Sequence, residues 1–464
     1  MKGIKTQLEI GGYHMAETAS VAGDVANLSL NSEALGPSNE PEGSKGAETQ
    51  PGESGAGFEN EGGHKQESWR KDEFPPLALD HEALKLVTTR EISGHGECVK
   101  IDALDRGSFH EVRVLEFEDG WTCVGRFTRR RDEHRHVRES AVATMKYVRE
   151  HTTIPVPEIY HVNFDQQNDV GASYVIMERM PGQRLYTIWE GLSTEHKIAV
   201  MEQIADVLAQ LSNLKFDKIG SFNLNGEIGP LQNHAIPHEV GERGPFNTME
   251  DYLLSFIPDT DQEPESITSL YPTIRHRIHE DLTEQTDDPL YNPPFRLIHG
   301  DFDGQNMLFT TSDSGPPKLT GIIDWDYSYA GPLYYLYEHP VFILDIEGDY
   351  DEPNWPENKI LRQKLVSTLL HEFPRKSEAR LDVREAFRQK SYLYNAFAST
   401  FMFRKRDAKD EADCIKLYTR GIDGTITVRQ EEEEGYSPYG LKLGWEPDSD
   451  PESEDGRGGR CVSC

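Results

Sequence analysis

Two hydrophobic patterns divide the middle of the chain into a strand-rich part and a helix-rich part. Between residues 96 and 180, apolar and polar positions alternate in short runs that are separated by turn residues, which predicts β-strands. These runs are KIDALDRGSFHEVRVLEF, DGWTCVGRFTR and SYVIMERMPG. RESAVATMKYVREH has helical spacing instead, and the prolines of TIPVPEIYHVNF predict extended chain.

Between residues 181 and 430 the apolar positions mostly follow the helical period. STEHKIAVMEQIADVLAQLSNL places apolar residues three and four apart behind a Ser193 N-cap, and MEDYLLSF, NKILRQKLVSTLLHEF and VREAFRQKSYLYNAFASTFMF have the same character. LIHGDFDGQNMLF and LTGIIDWDYSYAGP interrupt this pattern with strand-like runs. The predicted fold class is therefore α+β, with a small β-rich N-lobe at 96–180 and a larger helical C-lobe at 181–430.

The two ends of the chain have a different composition. Residues 1–80 and 431–464 are rich in Gly, Glu, Ser and Pro and contain few aromatic residues. Such segments bury too little apolar area to offset the entropy of ordering the chain. We expect both ends to be acidic and disordered.

Charge and targeting signals narrow the classes of partner. Lys and Arg number 48 against 81 Asp and Glu, a net charge of −33, which disfavours nucleic acid and anionic membranes and favours cationic small molecules. The basic cluster TRRRDEHRHVR is short and interleaved with acids, which is typical of a solvated face. The sequence has no signal peptide and no run of about 18 apolar residues, and its five cysteines are scattered, so we expect the cytosol or nucleus.

The polar interruptions of the C-lobe carry a specific chemical pattern. A hairpin between the two stretches would bring Asp301, Asn306 and Asp324 to one edge. Asp301 could then accept a proton from an attacking hydroxyl, while Asn306 and Asp324 supply the oxygen ligands that Mg²⁺ prefers beside phosphate. Asp, Gly and Asn also favour turns without any chemistry. The combination of both motifs at hairpin distance, however, is rarely met by chance.

These residues resemble a known family. HGDFDGQN resembles the catalytic loop of the aminoglycoside phosphotransferase family, which has the bilobal protein-kinase-like fold, and IIDWD resembles its metal-binding segment. The sequence LTGIIDWDYSYAGPLYYLYEHP is most similar to a fungal branch. The resemblance implies that Asp301 is the catalytic base and that Asn306 and Asp324 bind magnesium, with Asp326 a further candidate ligand. His299 is expected to support the loop through hydrogen bonds.

The N-lobe contains a candidate phosphate-covering loop. DRGSFHEV resembles a glycine-rich loop through Gly107, Ser108 and Phe109, although Asp105 and His110 replace its other glycines. A plain β-turn explains this segment equally well.

Two further charged residues match kinase positions that are involved in holding the nucleotide phosphates. Arg126 falls where kinases place the lysine that holds the phosphates, and Glu139 is its candidate partner. An exposed strand arginine and an acidic residue in the first turn of a helix are the alternative readings.

The strand YVIMERMPG resembles the hinge that meets adenine. The backbone near Glu178 and Met180 is expected to bind the base, with Met177 as an apolar wall. A buried strand ending in a Pro-Gly turn fits the same residues.

The function predicted from these patterns is transfer of the γ-phosphate of ATP, with Mg²⁺, to a hydroxyl group of a small molecule. Acidic and aromatic residues near the catalytic loop would suit an amine-bearing acceptor, but general surface acidity explains these carboxylates equally well. Two alternatives stay open. A non-catalytic nucleotide-binding or scaffold protein is one, and a protein kinase is the other, although no Ala-Pro-Glu follows IIDWD.

Overall fold

The computed structural model describes residues 75–107, 109–129, 135–232, 243–257, 271–283, 292–312, 315–337, 339–343, 355–373 and 383. The two predicted disordered ends, Ser108 and nearly all of the predicted helix VREAFRQKSYLYNAFASTFMF lie outside these residues, apart from the short stretch 75–80.

The chain forms two compact units, and each is described by itself. The meander unit comprises the described residues 75–129 together with 165–175, and the helical unit comprises 135–164 and the described residues from 176 onward. The lobe boundaries at 96, 180 and 430 stay predictions.

The described part of the meander unit contains one complete helix and three complete antiparallel strands. Helix α1 (His81–Glu91) precedes strands β1 (Cys98–Arg106), β2 (His110–Phe117) and β3 (Thr122–Thr128). β2 pairs with both of its neighbours along the chain. The strands agree with the alternating sequence pattern, whereas helix α1 lies before the predicted N-lobe and was not predicted.

Strand β2 buries two charged residues. Its buried positions are Glu111, Arg113, Leu115 and Phe117, while Val112 and the alternate positions stay half-buried. The alternation of strand residues is therefore present, but two charged side chains point to the interior. Buried charges of this kind need partners to offset the loss of hydration.

Those partners come in part from a segment that we call the strap, residues 75–80. The amide of Leu77 donates to Oε2 of Glu111 at 2.7 Å, and Nη2 of Arg129 donates to the carbonyl of Pro75 at 2.6 Å. Nη1 of Arg129 lies 3.2 Å from the same Glu111 oxygen. The strap is thus attached to β2 although it lies within the predicted disordered segment 1–80.

The helical unit contains most of the secondary structure. Its helices are α2 (Arg135–His151), α3 (Leu185–Ile188), α4 (Thr194–Ser212), α5 (Met249–Leu254), α6 (Tyr271–Thr283), α7 (Leu333–Leu336) and α8 (Trp355–Glu372). Its strands are β4 (Ile159–Asn163), β6 (Gln183–Arg184), β7 (Lys215–Phe216), β8 (Ser221–Phe222), β9 (Ile228–Gly229), β10 (Phe295–Ile298), β11 (Met307–Ser312), β12 (Gly315–Ile322) and β13 (Tyr329–Gly331). Strand β5 (Tyr174–Glu178) runs from one unit into the other along the chain. The predicted α+β fold class is confirmed.

Helix α4 has the N-cap and the buried apolar stripe that its sequence predicts. Ser193 caps it, because its hydroxyl accepts a hydrogen bond from the amide of His196. The apolar stripe predicted from the sequence is buried, with Met201, Ile204 and Leu208 at 2% exposure or less. The helix packs on α8 and β12 and so forms the interior support of the two polar segments.

Two antiparallel ladders position those polar segments. β11 and β12 form a hairpin in which Met307 lies opposite Ile322, and β10 pairs with β13, with Leu297 opposite Ala330. HGDFDGQN therefore links β10 to β11, and IIDWD leads out of β12 toward β13. None of the helices in the described part of the chain has the length and apolar character needed to cross a bilayer.

Candidate active site

His299 forms the base of the loop between β10 and β11. Its side chain is buried, Nε2 donates to the carbonyl of Ile323 at 3.0 Å, and Nδ1 accepts from the amide of Asp301 at 3.3 Å. Burial lowers the pKa of His299 to about 4, so the ring is neutral near pH 7. With both nitrogens engaged, the ring ties the loop to IIDWD through hydrogen bonds.

Gly300 has a conformation that other residues rarely adopt. Its φ is +88°, and a Cβ atom at this position would lie 2.5 Å from the carbonyl oxygen of Tyr327. Glycine is therefore required here by both backbone conformation and space. The close approach brings the loop onto the chain that follows IIDWD.

Asp301 is oriented by two amide side chains of its own loop. Nδ2 of Asn306 donates to Oδ2 of Asp301 at 2.7 Å and to its carbonyl oxygen at 3.0 Å. Nε2 of Gln305 donates to the same carboxylate oxygen at 3.1 Å. The residue remains partly exposed, so the carboxylate is both fixed and accessible. Gln305 was missed in the sequence, although it stands next to Asn306.

Asp324 is joined to this loop through the backbone. The amide of Ile323 donates to the carbonyl of Asn306 at 3.0 Å, and Trp325 is 1% exposed with its Nε1 bonded to the carbonyl of Ile322. Asp324 itself has a φ of +65°, an uncommon value for a residue other than glycine. Strain of this kind is often found at functional positions.

Asp326 has a different environment from Asp324. It is 2% exposed, whereas Asp324 is partly exposed. Its negative charge also acts on His299, where it raises the pKa against the larger effect of burial. Asp326 therefore lies beneath the loop, and its role as a metal ligand stays a prediction.

The residues present fit a magnesium ion that takes further ligands from phosphate and water. Because Nδ2 of Asn306 is committed to Asp301, its Oδ1 is the amide atom that could bind a cation. The partly exposed carboxylate of Asp324 supplies the second hard oxygen ligand. Within the described residues, no cluster of three or more His, Cys, Asp or Glu side chains forms a complete metal site.

The hinge candidates of the helical unit are held by main-chain and side-chain bonds. Met177 is buried, and the amide of Glu178 donates to the carbonyl of Glu158 at 2.8 Å. Met180 lies against Gly321 of β12. This arrangement fits both readings of the segment, and the adenine contacts stay a prediction.

The phosphate-loop candidates lie in the meander unit. The amide of Gly107 donates to the carbonyl of His110 at 2.9 Å, and Phe109 accepts from the amide of Arg129 at 2.8 Å. Arg126 lies 2.9 Å from the ring of His110. Their roles in nucleotide binding stay predictions.

Glu139 lies on α2 in the helical unit. Its carboxylate is bonded by Arg135 at 2.6 Å and by His136 at 2.9 Å, both on the same helix. The expected Arg126–Glu139 pair also stays a prediction.

Comparison with known proteins identifies the family. Residues 105–335 match the family described as the phosphotransferase enzyme family. Through this segment the chain belongs to that family. The resemblance inferred from HGDFDGQN and IIDWD is confirmed, and with it the protein-kinase-like α+β fold. All residues of the predicted site lie within the matched segment, whereas helix α1 and the strap precede it.

Individual relatives share limited sequence identity with this chain, over only part of its length. A subtelomeric hrmA-associated cluster protein of Aspergillus fumigatus is 32% identical over 141 residues, which cover 30% of this chain and 27% of the relative. A clavilactone A biosynthesis cluster protein of Ampulloclitocybe clavipes is 23% identical over 236 residues, which cover 47% of this chain and 55% of the relative. The chain thus spans about a quarter of the first relative and about half of the second.

One solved structure is that of the ADP-bound aminoglycoside phosphotransferase APH(2'')-Ib. It aligns with a TM-score of 0.44 at 15% identity, over 75% of this chain and 100% of that one.

Proposed function

We propose that this phosphotransferase-family chain transfers the γ-phosphate of ATP, with Mg²⁺, to a hydroxyl group of a small molecule. The observation that carries the proposal is the position of Asn306. Its side chain orients the carboxylate of Asp301, and its carbonyl binds the residue before Asp324. One residue therefore couples the candidate base to the candidate metal ligand, as phosphoryl transfer requires.

In this mechanism the protein mainly positions groups. Asp301 accepts the proton of the acceptor hydroxyl. At the same time the hydroxyl oxygen forms a bond to the γ-phosphorus, and the bond from the γ-phosphorus to the departing ADP oxygen breaks. A bound Mg²⁺ supplies charge neutralisation for the phosphate oxygens. His299 takes no proton, because burial keeps it neutral and its hydrogen bonds hold the loop in place.

The nucleotide is assigned to the remaining predicted residues. Gly107 and Phe109 would cover the phosphates, and Arg126 would bind them. The backbone near Glu178 would meet adenine. That the acceptor is cationic and that the protein is located in the cytosol or nucleus also stay predictions.

The test compares Asp301→Asn with the wild type. ADP release is measured with a panel of alcohols, and ATP binding by thermal shift. Asparagine cannot accept the proton, so we expect turnover to fall by about 10²- to 10⁴-fold. Binding should persist, and ATP at 100 times its dissociation constant should still stabilise the fold by about 2.7 kcal/mol.

A matched control is Asp206→Asn, an exposed aspartate of α4 whose side chain accepts a bond from Gln210. It should leave turnover unchanged. Wild-type turnover in Asp301→Asn would remove Asp301 from the mechanism. ATP binding without turnover in the wild type would favour the non-catalytic alternative.

A further inference from the structure

Tyr186 is an aromatic residue whose two ends have different environments. It is 39% exposed, although it belongs to the short helix α3, in which Leu185 is fully buried. The preceding strand β6 pairs with β11, with Arg184 opposite Leu308. Tyr186 is therefore delivered directly to the loop that carries Asp301.

The hydroxyl of Tyr186 points into that loop. It donates to Oδ2 of Asp303, a residue that is 2% exposed. Asp303 is itself part of the loop backbone, since its amide donates to the carbonyl of Asp301 at 3.0 Å and its carbonyl accepts from Asn306 at 2.9 Å. Burial, and then the charge of Asp303, raise the pKa of Tyr186 above its usual value. The hydroxyl thus stays a donor at physiological pH.

The ring of Tyr186 is fixed by close packing. A Cβ atom on Gly304 would lie 3.1 Å from Cδ1 of Tyr186 and 3.4 Å from Phe342, so glycine lets both rings approach the loop. Phe342 meets Tyr186 edge to face at 6.1 Å and Trp189 at 4.8 Å. Lys197 lies 5.0 Å above the ring of Trp189. An exposed aromatic surface held this firmly is preorganised for contact with a ligand.

This surface also lies near the candidate base. Asp303 and Gly304 lie two and three positions after Asp301 in the loop, and the charge of Asp301 contributes to the raised pKa of Tyr186. The carboxylate of Asp303 is buried and bonded to the tyrosine hydroxyl, so it is not offered to a cationic group. The surface beside Asp301 is therefore formed by the ring of Tyr186, and the carboxylate of Asp303 is not exposed there.

We propose that Tyr186 determines acceptor specificity by packing its exposed ring against the ring-bearing, largely apolar skeleton of an alcohol whose hydroxyl reaches Asp301. This inference rests on the proposed function and deepens it, because it names the class of acceptor. It departs from the amine-bearing acceptor considered from composition. Trp189 and Phe342 act through Tyr186 as positioning residues.

The experiment uses a defined panel of alcohols with the full-length protein and Mg-ATP. The probes with an apolar ring, called the ring-bearing probes, are 2-phenylethanol, tryptophol and 2-cyclohexylethanol. The polar probes are glucose and kanamycin, whose rings carry hydroxyl or amino groups. We expect transfer to ring-bearing probes, with a KM for them that rises about tenfold in Tyr186→Leu, as expected when about 1.4 kcal/mol of contact is lost. The KM for ATP should change by less than about twofold. Tyr186→Phe keeps the ring and should keep most of the affinity for the ring-bearing probes. Leu224→Ser replaces another exposed apolar residue and is the control, which should leave the KM for these probes unchanged.

Binding measurements separate this inference from the proposed function. Ligand-observed NMR detects probe binding in the presence of a non-hydrolysable ATP analogue. Binding that depends on Tyr186 without any turnover would reject the proposed function and keep the subsite. Turnover with glucose or kanamycin alone, or no binding of any ring-bearing probe, would overturn the subsite. Equal effects of Tyr186→Leu on the KM of ATP and of the alcohol would also overturn it, because they indicate a structural role.

Discussion

The catalytic loop and strand β2 both place charged residues in or near the interior, but they stabilise them in different ways. In the loop, Asp301 is bonded by residues four and five positions away. On β2, the buried carboxylate of Glu111 is bonded by Leu77, 34 positions earlier, and by Arg129, 18 positions later. The first arrangement is local in sequence and the second is not.

This difference explains what each region requires of the rest of the fold. The loop needs the β10–β13 and β11–β12 ladders to form, after which its polar groups bond one another. Glu111 needs the strap to be in place, together with Arg113, whose guanidinium bonds both Glu111 and the carbonyl of Leu77. The strap is thus a structural component of the meander unit although it precedes the segment matched to the family.

The largest effect on stability is expected from Glu111→Ala. The substitution leaves Arg113 and Arg129 without their buried carboxylate, and loss of one partner of a buried ion pair typically costs about 3–5 kcal/mol. Denaturant unfolding measures the loss. Amide hydrogen exchange should accelerate at Leu77 and along β2, because the strap is released.

The matched control for this change is Glu116→Ala on the same strand. Glu116 occupies the half-buried face, so its removal should cost much less. Glu111→Gln keeps an acceptor for the amide of Leu77 and should fall between the two. Equal stability of all three variants would show that the long-range cluster contributes nothing.

The same contrast determines how much could be predicted from sequence. Helices α2, α4, α5 and α8, the strands of the hairpin and the residues around Asp301 follow from short-range patterns. The structure brings His299, Asp301, Asn306 and Asp324 together through the loop and the hairpin. The Ser193 cap is a further local feature that was read correctly. Each of these depends on residues that are near neighbours in the chain or belong to adjacent strands.

The features that were missed depend on distant partners. The alternation in HEVRVLEF predicts a strand, but it does not reveal that Glu111 and Arg113 are buried, because their partners lie outside the strand. Tyr186 lies 117 positions before Asp303, and no local signal connects the two. Charged residues in a strand indicate that a partner is needed if they are buried. The sequence does not show which residue that partner is.

An intermediate effect on stability is expected from pH, and it concerns the helical unit. Burial lowers the pKa of His299 to about 4 and that of His339 to about 3, below the ordinary value near 6.5. Above pH 6.5 both rings are neutral in either state, so stability is at its full value. As the pH falls below 6.5, the unfolded chain binds protons that the folded chain does not, so each ring removes about 2 kcal/mol by pH 5.

The test of this pH effect is His339→Gln, which leaves the catalytic loop intact. Glutamine does not titrate, so the variant should lose less stability than the wild type between pH 7 and pH 5, by about 2 kcal/mol. Unfolding curves at the two pH values give the difference directly. An identical pH dependence in both proteins would mean that His339 becomes protonated as readily in the folded state as in the unfolded state.

The smallest effect is expected from an exposed pair with the same chemistry as the β2 cluster. Glu158 lies 3.4 Å from Nη2 of Arg149, but their side chains are 54% and 46% exposed. Water and salt screen such a pair, so Glu158→Ala should cost less than about 1 kcal/mol. Unfolding measured at low and at high salt should show that high salt reduces this cost further. The cost of Glu111→Ala should change little with salt, because its carboxylate is fully buried. A comparable loss in both variants would contradict the view that burial, more than the guanidinium–carboxylate contact itself, decides how strongly these charges contribute to stability.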